Sequence, residues 1–170
     1  QVITGLWQVA DLEKDGSELD VEVAAESLVE YALDGFDTFD MADHYGSAEL
    51  ISGRAQEILQ RQQQNVDSLN PARFHTKWCP KPRVMLPKVV RHAIDERADR
   101  LRVESIDLLQ FHWWTFQHPG YLDAMEGLVL AQQSGRINKI GLTNFDTNHL
   151  RVLVRHGFPI VSNQVVVSML

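Results

Sequence analysis

The chain lacks the residues and runs that would place it in several large classes. Cys79 is its only cysteine, so no intramolecular disulfide can form, in keeping with a reducing compartment. No stretch approaches 18 consecutive apolar residues, and no membrane span is expected. Lys and Arg number 16 against 23 Asp and Glu, with no basic run. The net charge of −7 argues against nucleic-acid binding, which needs a positive footprint. Neither G-x-G-x-x-G nor G-x-x-x-x-G-K-[ST] occurs, and the nearest stretch, Asp11–Gly16, does not fit. H-x-H and H-E-x-x-H are also missing, and His149 and His156 stand too far apart on one helix to chelate easily, so no metal is expected. The first residue is Gln1 rather than Met, and targeting is not read from this end.

What is present is an alternation of strand and helix over 170 residues, enough for one domain with a core, at an ordinary 44% hydrophobic and 23% charged. Gly5–Val9 reads as the first strand and Ala10–Asp20 as a polar loop, with Glu13, Asp15, Glu18, Asp20 and Glu22 forming a solvated loop and helix start. Val21–Asp34 carries apolar residues at helical spacing, and Gly35 stops it. Phe36–Asp40 is the second strand, Ala48–Gln63 the second helix, Asn65–Pro71 a turn and Arg73–Lys77 the third strand. Pro87 opens a helix that runs to Leu101. Ile106–His112, almost continuously apolar, is the fourth strand. Tyr121–Gln133 is a helix ended by Gly135, and Ile137–Thr143 the fifth strand. Asp146 or Thr147 caps a fifth helix that Gly157 and Pro159 terminate, and Ile160–Gln164 is the sixth strand.

Six strands and five helices in this order predict a parallel sheet, either doubly wound or a (β/α)8 barrel. A doubly wound nucleotide domain would show a Gly-rich first turn. Its absence favours the barrel. A complete barrel takes about 250 residues, so about two βα units are missing and the natural polypeptide is expected to be longer.

Five apolar stretches end on reactive polar residues: Asp40, Lys77, His112, Asn144 and Gln164. The first three gaps between them are each about 35 residues, the size of one strand–helix repeat. In a parallel barrel such residues share one rim, where active sites form. Tyr45 follows Asp40 in a loop that Gly46 lets turn. A tyrosine has an ordinary pKa of about 10, too high for fast proton exchange at neutral pH. A nearby ammonium lowers it, a carboxylate keeps that ammonium charged and fixed, and a histidine orients a substrate oxygen. Such a set protonates an alkoxide as hydride arrives. Trp7, Trp78, Trp113, Trp114 and Phe116 lie near strand ends, where they either wall an apolar pocket or pack under loops. Cys79 reads as a small hydrophobe near the rim.

The segments Phe39–Gly46 (FDMADHYG), Thr76-Lys77, Asp107–Trp113 (DLLQFHW), Gly141–Phe145 (GLTNF) and Asn163–Val165 (NQV) resemble the aldo-keto reductases, in that family's order and over nearly the whole chain. The resemblance implies a (β/α)8 TIM barrel, here incomplete, with residues 1–170 as a single domain lacking the seventh and eighth βα units. It implies an oxidoreductase that reduces an aldehyde or ketone by hydride transfer from a nicotinamide cofactor, NADP(H) rather than NAD(H). Asp40, Tyr45, Lys77 and His112 take the positions of the catalytic tetrad, with Tyr45 the proton donor. Thr143, Asn144 and Gln164 take those of the carboxamide-binding residues. Position 143 is more often Ser in the family, and Thr retains the hydroxyl. The loops after the seventh and eighth strands, which hold the rest of the cofactor, lie outside these residues. The expected partner is a small carbonyl or sugar substrate, with the choice among sugars, aliphatic aldehydes, quinones and ketosteroids left open by the sequence, and no nucleic acid or membrane. The expected location is the cytoplasm, or an organelle after removal of a leader. The alternatives are a non-catalytic cofactor-sensing or partner-binding homologue, like the potassium-channel β subunits, and an inactive fragment. A metal-dependent hydrolase or a glycosidase on the same barrel is disfavoured, because Trp7 and Gln8 stand where His pairs would be needed and the fourth strand ends in His112 rather than a carboxylate.

Overall fold

A computed structural model describes residues 2–63 and 71–167. Two compact units divide the chain: Gln1–Thr76 with Arg97–Glu104, and Lys77–Glu96 with Ser105–Leu170. The strand–helix alternation, with parallel pairing throughout each unit, is that of the expected incomplete (β/α)8 barrel. No helix among the described residues is long and apolar enough to cross a membrane.

The first unit holds β1 (Thr4–Gly5), α1 (Trp7–Leu12), α2 (Val21–Leu33), β2 (Thr38–Asp40), α3 (Ala48–Gln63), the start of β3 (Arg73–Trp78) and the last residues of α4 (Pro87–Leu101). Strand β2 pairs in parallel with β1 and β3, with Phe39 opposite Thr4 and Phe74. The Phe39 and Phe74 rings stack at 5.1 Å. Asp20 starts α2 by accepting the backbone N–H groups of Glu22 (2.9 Å) and Val23 (3.3 Å), two donors that a helix start leaves without partners. Ala25, Leu28 and Val29 then form its buried face, and α2 packs on α3. Helix α3 passes close to the end of α4, where a Cβ on Gly53 would overlap the Arg100 carbonyl.

Three boundaries differ from the sequence reading. The first strand is Thr4–Gly5, and Trp7–Val9 belong to α1, which also takes Ala10–Leu12 from the expected loop. Leu6, Val9, Ala10 and Glu13 fall on one helical face, and an apolar run this short reads equally as a strand. The second strand begins at Thr38, because the N–H of Phe36 turns back to the carbonyl of Tyr31 (2.9 Å) and closes α2. The third strand extends one residue past Lys77, to Trp78. Six helices therefore stand among the described residues where five were expected. Most of the expected turn Asn65–Pro71 lies outside the described residues.

The second unit holds β4 (Ile106–His112), α5 (Tyr121–Gln133), β5 (Ile137–Thr143), α6 (Thr147–Arg155) and β6 (Ile160–Gln164), with the end of β3 and most of α4. These boundaries match the sequence reading. Strand β5 pairs in parallel with β4 and β6. Ile106, Leu109, Phe111, Ile137, Ile140 and Leu142 are buried, as expected for strands covered on both faces. Asp146 caps α6 by accepting the N–H groups of Asn148 (2.8 Å) and His149 (3.1 Å).

Candidate active site

Of the residues singled out from the sequence, Asp40 and Tyr45 lie in the first unit. Lys77, His112, Thr143, Asn144 and Gln164 lie in the second. Asp40 is the last residue of β2 and is 9% exposed. It stands opposite Gly5 on one side and His75 on the other, and its carbonyl accepts the N–H of Leu6 at 2.9 Å. The chain then turns. Tyr45 donates its N–H to Ala42, and Ala48 donates to Tyr45, both at 3.0 Å. Gly46 completes the turn at φ +54, a region that favours glycine, and a Cβ there would collide with the Glu13 carboxylate.

The Tyr45 ring is held edge-on by Trp7 (4.9 Å between centroids, 88°) and by His44 (4.9 Å, 82°). His44 pairs through its ring nitrogen with Asp43 at 3.0 Å. Two charged residues reach the backbone beside Tyr45. Glu13 accepts the N–H of Ser47 at 2.9 Å and also its hydroxyl. Arg100 donates from Nη2 to the Gly46 carbonyl at 2.8 Å. The hydrogen bond from the Ser47 hydroxyl holds the Glu13 carboxyl below its usual range, with a smaller contribution from the Arg100 charge. Below this turn Glu49 is fully buried. Its carboxylate accepts Thr76 Oγ1 at 2.6 Å and Arg100 Nε at 2.8 Å, with Arg97 Nε at 3.3 Å. Burial pushes its pKa up, opposed by Arg97, Thr76 and Arg100.

In the second unit Lys77 is buried, next to last in β3. His112 ends β4, Thr143 ends β5 and Gln164 ends β6. The register places His112 opposite Thr143 and Thr143 opposite Gln164, so the three form one row across neighbouring strands. Asn144 continues the row with left-handed backbone (φ 57), which asparagine tolerates better than most residues, and its N–H donates to the Gln164 carbonyl at 2.8 Å. Asn163 brackets the next residue. Its Nδ2 donates to the Phe145 carbonyl at 2.9 Å and its Oδ1 accepts the Phe145 N–H at 3.3 Å. The Thr143 hydroxyl is buried with no hydrogen-bond partner. A buried hydroxyl without a partner is unfavourable, and a ligand amide reaching this row would satisfy it. Thr143, Asn144 and Gln164 are the residues of this row that could hold a carboxamide group.

The aromatic residues divide. Trp78 and Trp113 are buried and pack with Phe111, at 5.4 and 5.7 Å. Trp7 and Trp114 are exposed. Trp114 stacks on His112 at 4.3 Å, and its indole N–H donates to the Cys79 carbonyl at 3.3 Å. Phe116 stacks on His149 at 3.8 Å. Cys79 is half-buried.

Glu13, Glu49, Arg100 and Asn163 were not singled out as site residues by the sequence. Glu13 read as part of a solvated acidic loop. The structure gives it Ser47, while Asp20 caps α2 and the exposed Glu22 stands in its first turn, as expected of a helix start, and pairs with Arg54 (2.8 Å).

Residues 1–170 match the family model of the aldo/keto reductases. The chain is 24% identical over 166 residues to the NADH-specific methylglyoxal reductase of Escherichia coli K12, covering 90% of this chain and 51% of that protein. It is 33% identical over 76 residues to the methylglyoxal reductase DkgA of the same organism, 44% of this chain and 28% of the relative. The chain thus spans at most about half the length of these relatives. Among solved structures, the thermostable aldo-keto reductase Tm1743 bound to epalrestat superposes with a TM-score of 0.74 at 22% identity, over 97% of this chain and 57% of that one. A Bombyx mori aldo-keto reductase in complex with NADP gives a TM-score of 0.71 at 20% identity, over 98% and 54%. At these identities the likeness shows the fold.

Proposed function

Because the chain belongs to the aldo/keto reductase family, whose model it matches over residues 1–170, we propose that the protein is an NAD(P)H-dependent oxidoreductase that reduces an aldehyde or ketone to an alcohol. The observation that carries this reading is the row His112, Thr143 and Gln164, with an unsatisfied buried hydroxyl at its centre. Thr143, Asn144 and Gln164 are the residues proposed to hold the nicotinamide carboxamide. When bound, the cofactor supplies the hydride.

Tyr45 is the proposed proton donor to the carbonyl oxygen. Its ring meets those of Trp7 and His44 edge-on. Asp40 and Lys77 are proposed, on the family resemblance, to complete the proton-donating set with Tyr45 and His112. His112 orients the carbonyl oxygen, its ring fixed by the stacked Trp114. Transfer from a positioned acid of this kind contributes about 10²- to 10⁴-fold to rate.

The proposed substrate is a small carbonyl compound. Methylglyoxal is the first to assay, since two relatives carry that activity in their names. NADP(H) is the proposed cofactor on the family resemblance, and the NADH-specific relative sets the alternative. Fluorescence titration of the full-length protein with NADPH and NADH, followed by methylglyoxal-dependent oxidation of whichever binds, tests the reading. Binding with carbonyl-dependent turnover is expected. Failure to bind either cofactor contradicts it.

A further inference from the structure

We infer that Glu13 and Arg100 are positioning residues for Tyr45, gripping the Gly46–Ser47 turn from two sides and so fixing where the phenol is presented. The inference rests on Tyr45 being the proton donor. The two grips act on the residues immediately after Tyr45. Arg100 Nη2 holds the carbonyl of Gly46, and the Glu13 carboxylate holds both the N–H and the hydroxyl of Ser47. The Gly46 carbonyl and the Ser47 N–H belong to one peptide group, held from both sides, so that peptide cannot rotate without breaking a charge-assisted hydrogen bond.

Each grip has its own anchor. Arg100 is fixed by its second contact, from Nε to the buried Glu49 at 2.8 Å, and Glu49 is fixed by the Thr76 hydroxyl of β3 at 2.6 Å. The hold on Gly46 therefore runs through three side chains to a strand of the sheet. Glu13 is the residue that closes α1, and α1 begins with Trp7, whose ring packs against Tyr45. One short segment thus contacts the Tyr45 ring at one end and Ser47, two residues after Tyr45, at the other. Gly46 belongs to the same arrangement. Any side chain at that position would occupy the space of the Glu13 carboxylate.

The positions of the two residues set their role. Arg100 acts on the Gly46 carbonyl and Glu13 on Ser47, and neither is among the groups proposed to meet the reacting atoms. Their removal is therefore expected to leave cofactor affinity intact and to slow proton delivery. Displacing a reacting group by about 1 Å costs as much as about 10²-fold in rate.

The experiment compares Arg100→Lys, Glu13→Gln, Ser47→Ala and Ser47→Thr in the full-length protein, with Tyr45→Phe as reference. The readouts are kcat, the cofactor dissociation constant, the thermal midpoint and the solvent deuterium isotope effect on kcat. Arg100→Lys and Glu13→Gln are expected to lower kcat about tenfold to a hundredfold. Cofactor affinity stays unchanged, and the isotope effect rises as proton delivery becomes limiting. Ser47→Thr, which keeps the hydroxyl, restores most of the rate lost in Ser47→Ala. If an arginine or glutamate variant fails to fold, the Ser47 pair carries the same comparison. Wild-type kcat in the clamp variants, or a loss of rate that follows the thermal midpoint with an unchanged isotope effect, overturns the inference. An inactive Tyr45→Phe beside unaffected clamp variants removes this inference alone. A fully active Tyr45→Phe removes the proton-donor reading and the inference with it.

Discussion

The backbone N–H of Asn144 donates to the carbonyl of Gln164 at 2.8 Å, and this bond ties the loop after β5 to the end of β6. It also accounts for the left-handed backbone of Asn144. The chain bends back toward β6 at that residue, one position beyond the unsatisfied Thr143 hydroxyl. Under the role proposed for Thr143, stability and cofactor binding make opposite demands on that hydroxyl.

Thr143→Val separates the two. Valine keeps the shape and removes a buried hydroxyl that has no partner, so thermal stability is expected to hold or to rise by about 1 kcal/mol. Cofactor affinity is expected to fall about tenfold, the equivalent of one lost hydrogen bond of about 1.4 kcal/mol. Thermal unfolding and cofactor titration of the same preparation check both. A loss of stability with unchanged affinity would assign the hydroxyl a purely structural part.

Asn163 is the support for this corner. Its amide satisfies both the N–H and the carbonyl of Phe145, a residue only 3% exposed. Asn163→Leu leaves two shielded backbone groups without partners, at about 1–3 kcal/mol each. Urea denaturation is expected to show destabilisation in that range, and hydrogen exchange to show faster loss of the Phe145 amide than of the amides within β4. Unchanged exchange at Phe145 would mean that the bracket is not what holds the loop.

Acid sensitivity is expected at the start of α6. The N–H of His149 and then its ring hold the Asp146 carboxyl below its ordinary value of 3.8. A depressed carboxyl contributes stability that is present above that ordinary value and is lost as pH falls through the lower, folded-state value. Asp146→Asn keeps a good helix cap and removes the titration. Its thermal midpoint is expected to fall less than that of the wild type as the solution is acidified from pH 5 to below pH 3.8. Parallel falls would place the acid-sensitive group elsewhere.

Much of this architecture is legible in the sequence where the signal is local. Helix α3 at Ala48–Gln63, α4 at Pro87–Leu101 and strands β4, β5 and β6 carry their periodicity and stop residues within a dozen or so positions, and their boundaries match. The polar ends of those strands were equally visible, because a reactive residue closing an apolar run is conspicuous. The beginning of the chain was misread. Leu6, Val9, Ala10 and Glu13 form a helical face of only about two turns, too short to outvote an apolar run. The residues that secure Tyr45 were hidden for a different reason. Ser47 lies 34 positions from Glu13, and Gly46 lies 54 from Arg100, so no spacing rule along the chain pairs them. Glu13 sat among four other acidic residues that looked alike, and only the fold singles it out.

The most direct test of the account is the turnover of Tyr45→Phe in the full-length protein, measured with cofactor affinity. Phenylalanine keeps the ring that packs against Trp7 and His44 and deletes only the hydroxyl. The account predicts unchanged cofactor binding and carbonyl reduction slowed by about 10²- to 10⁴-fold. Turnover within a few-fold of the wild type would contradict it.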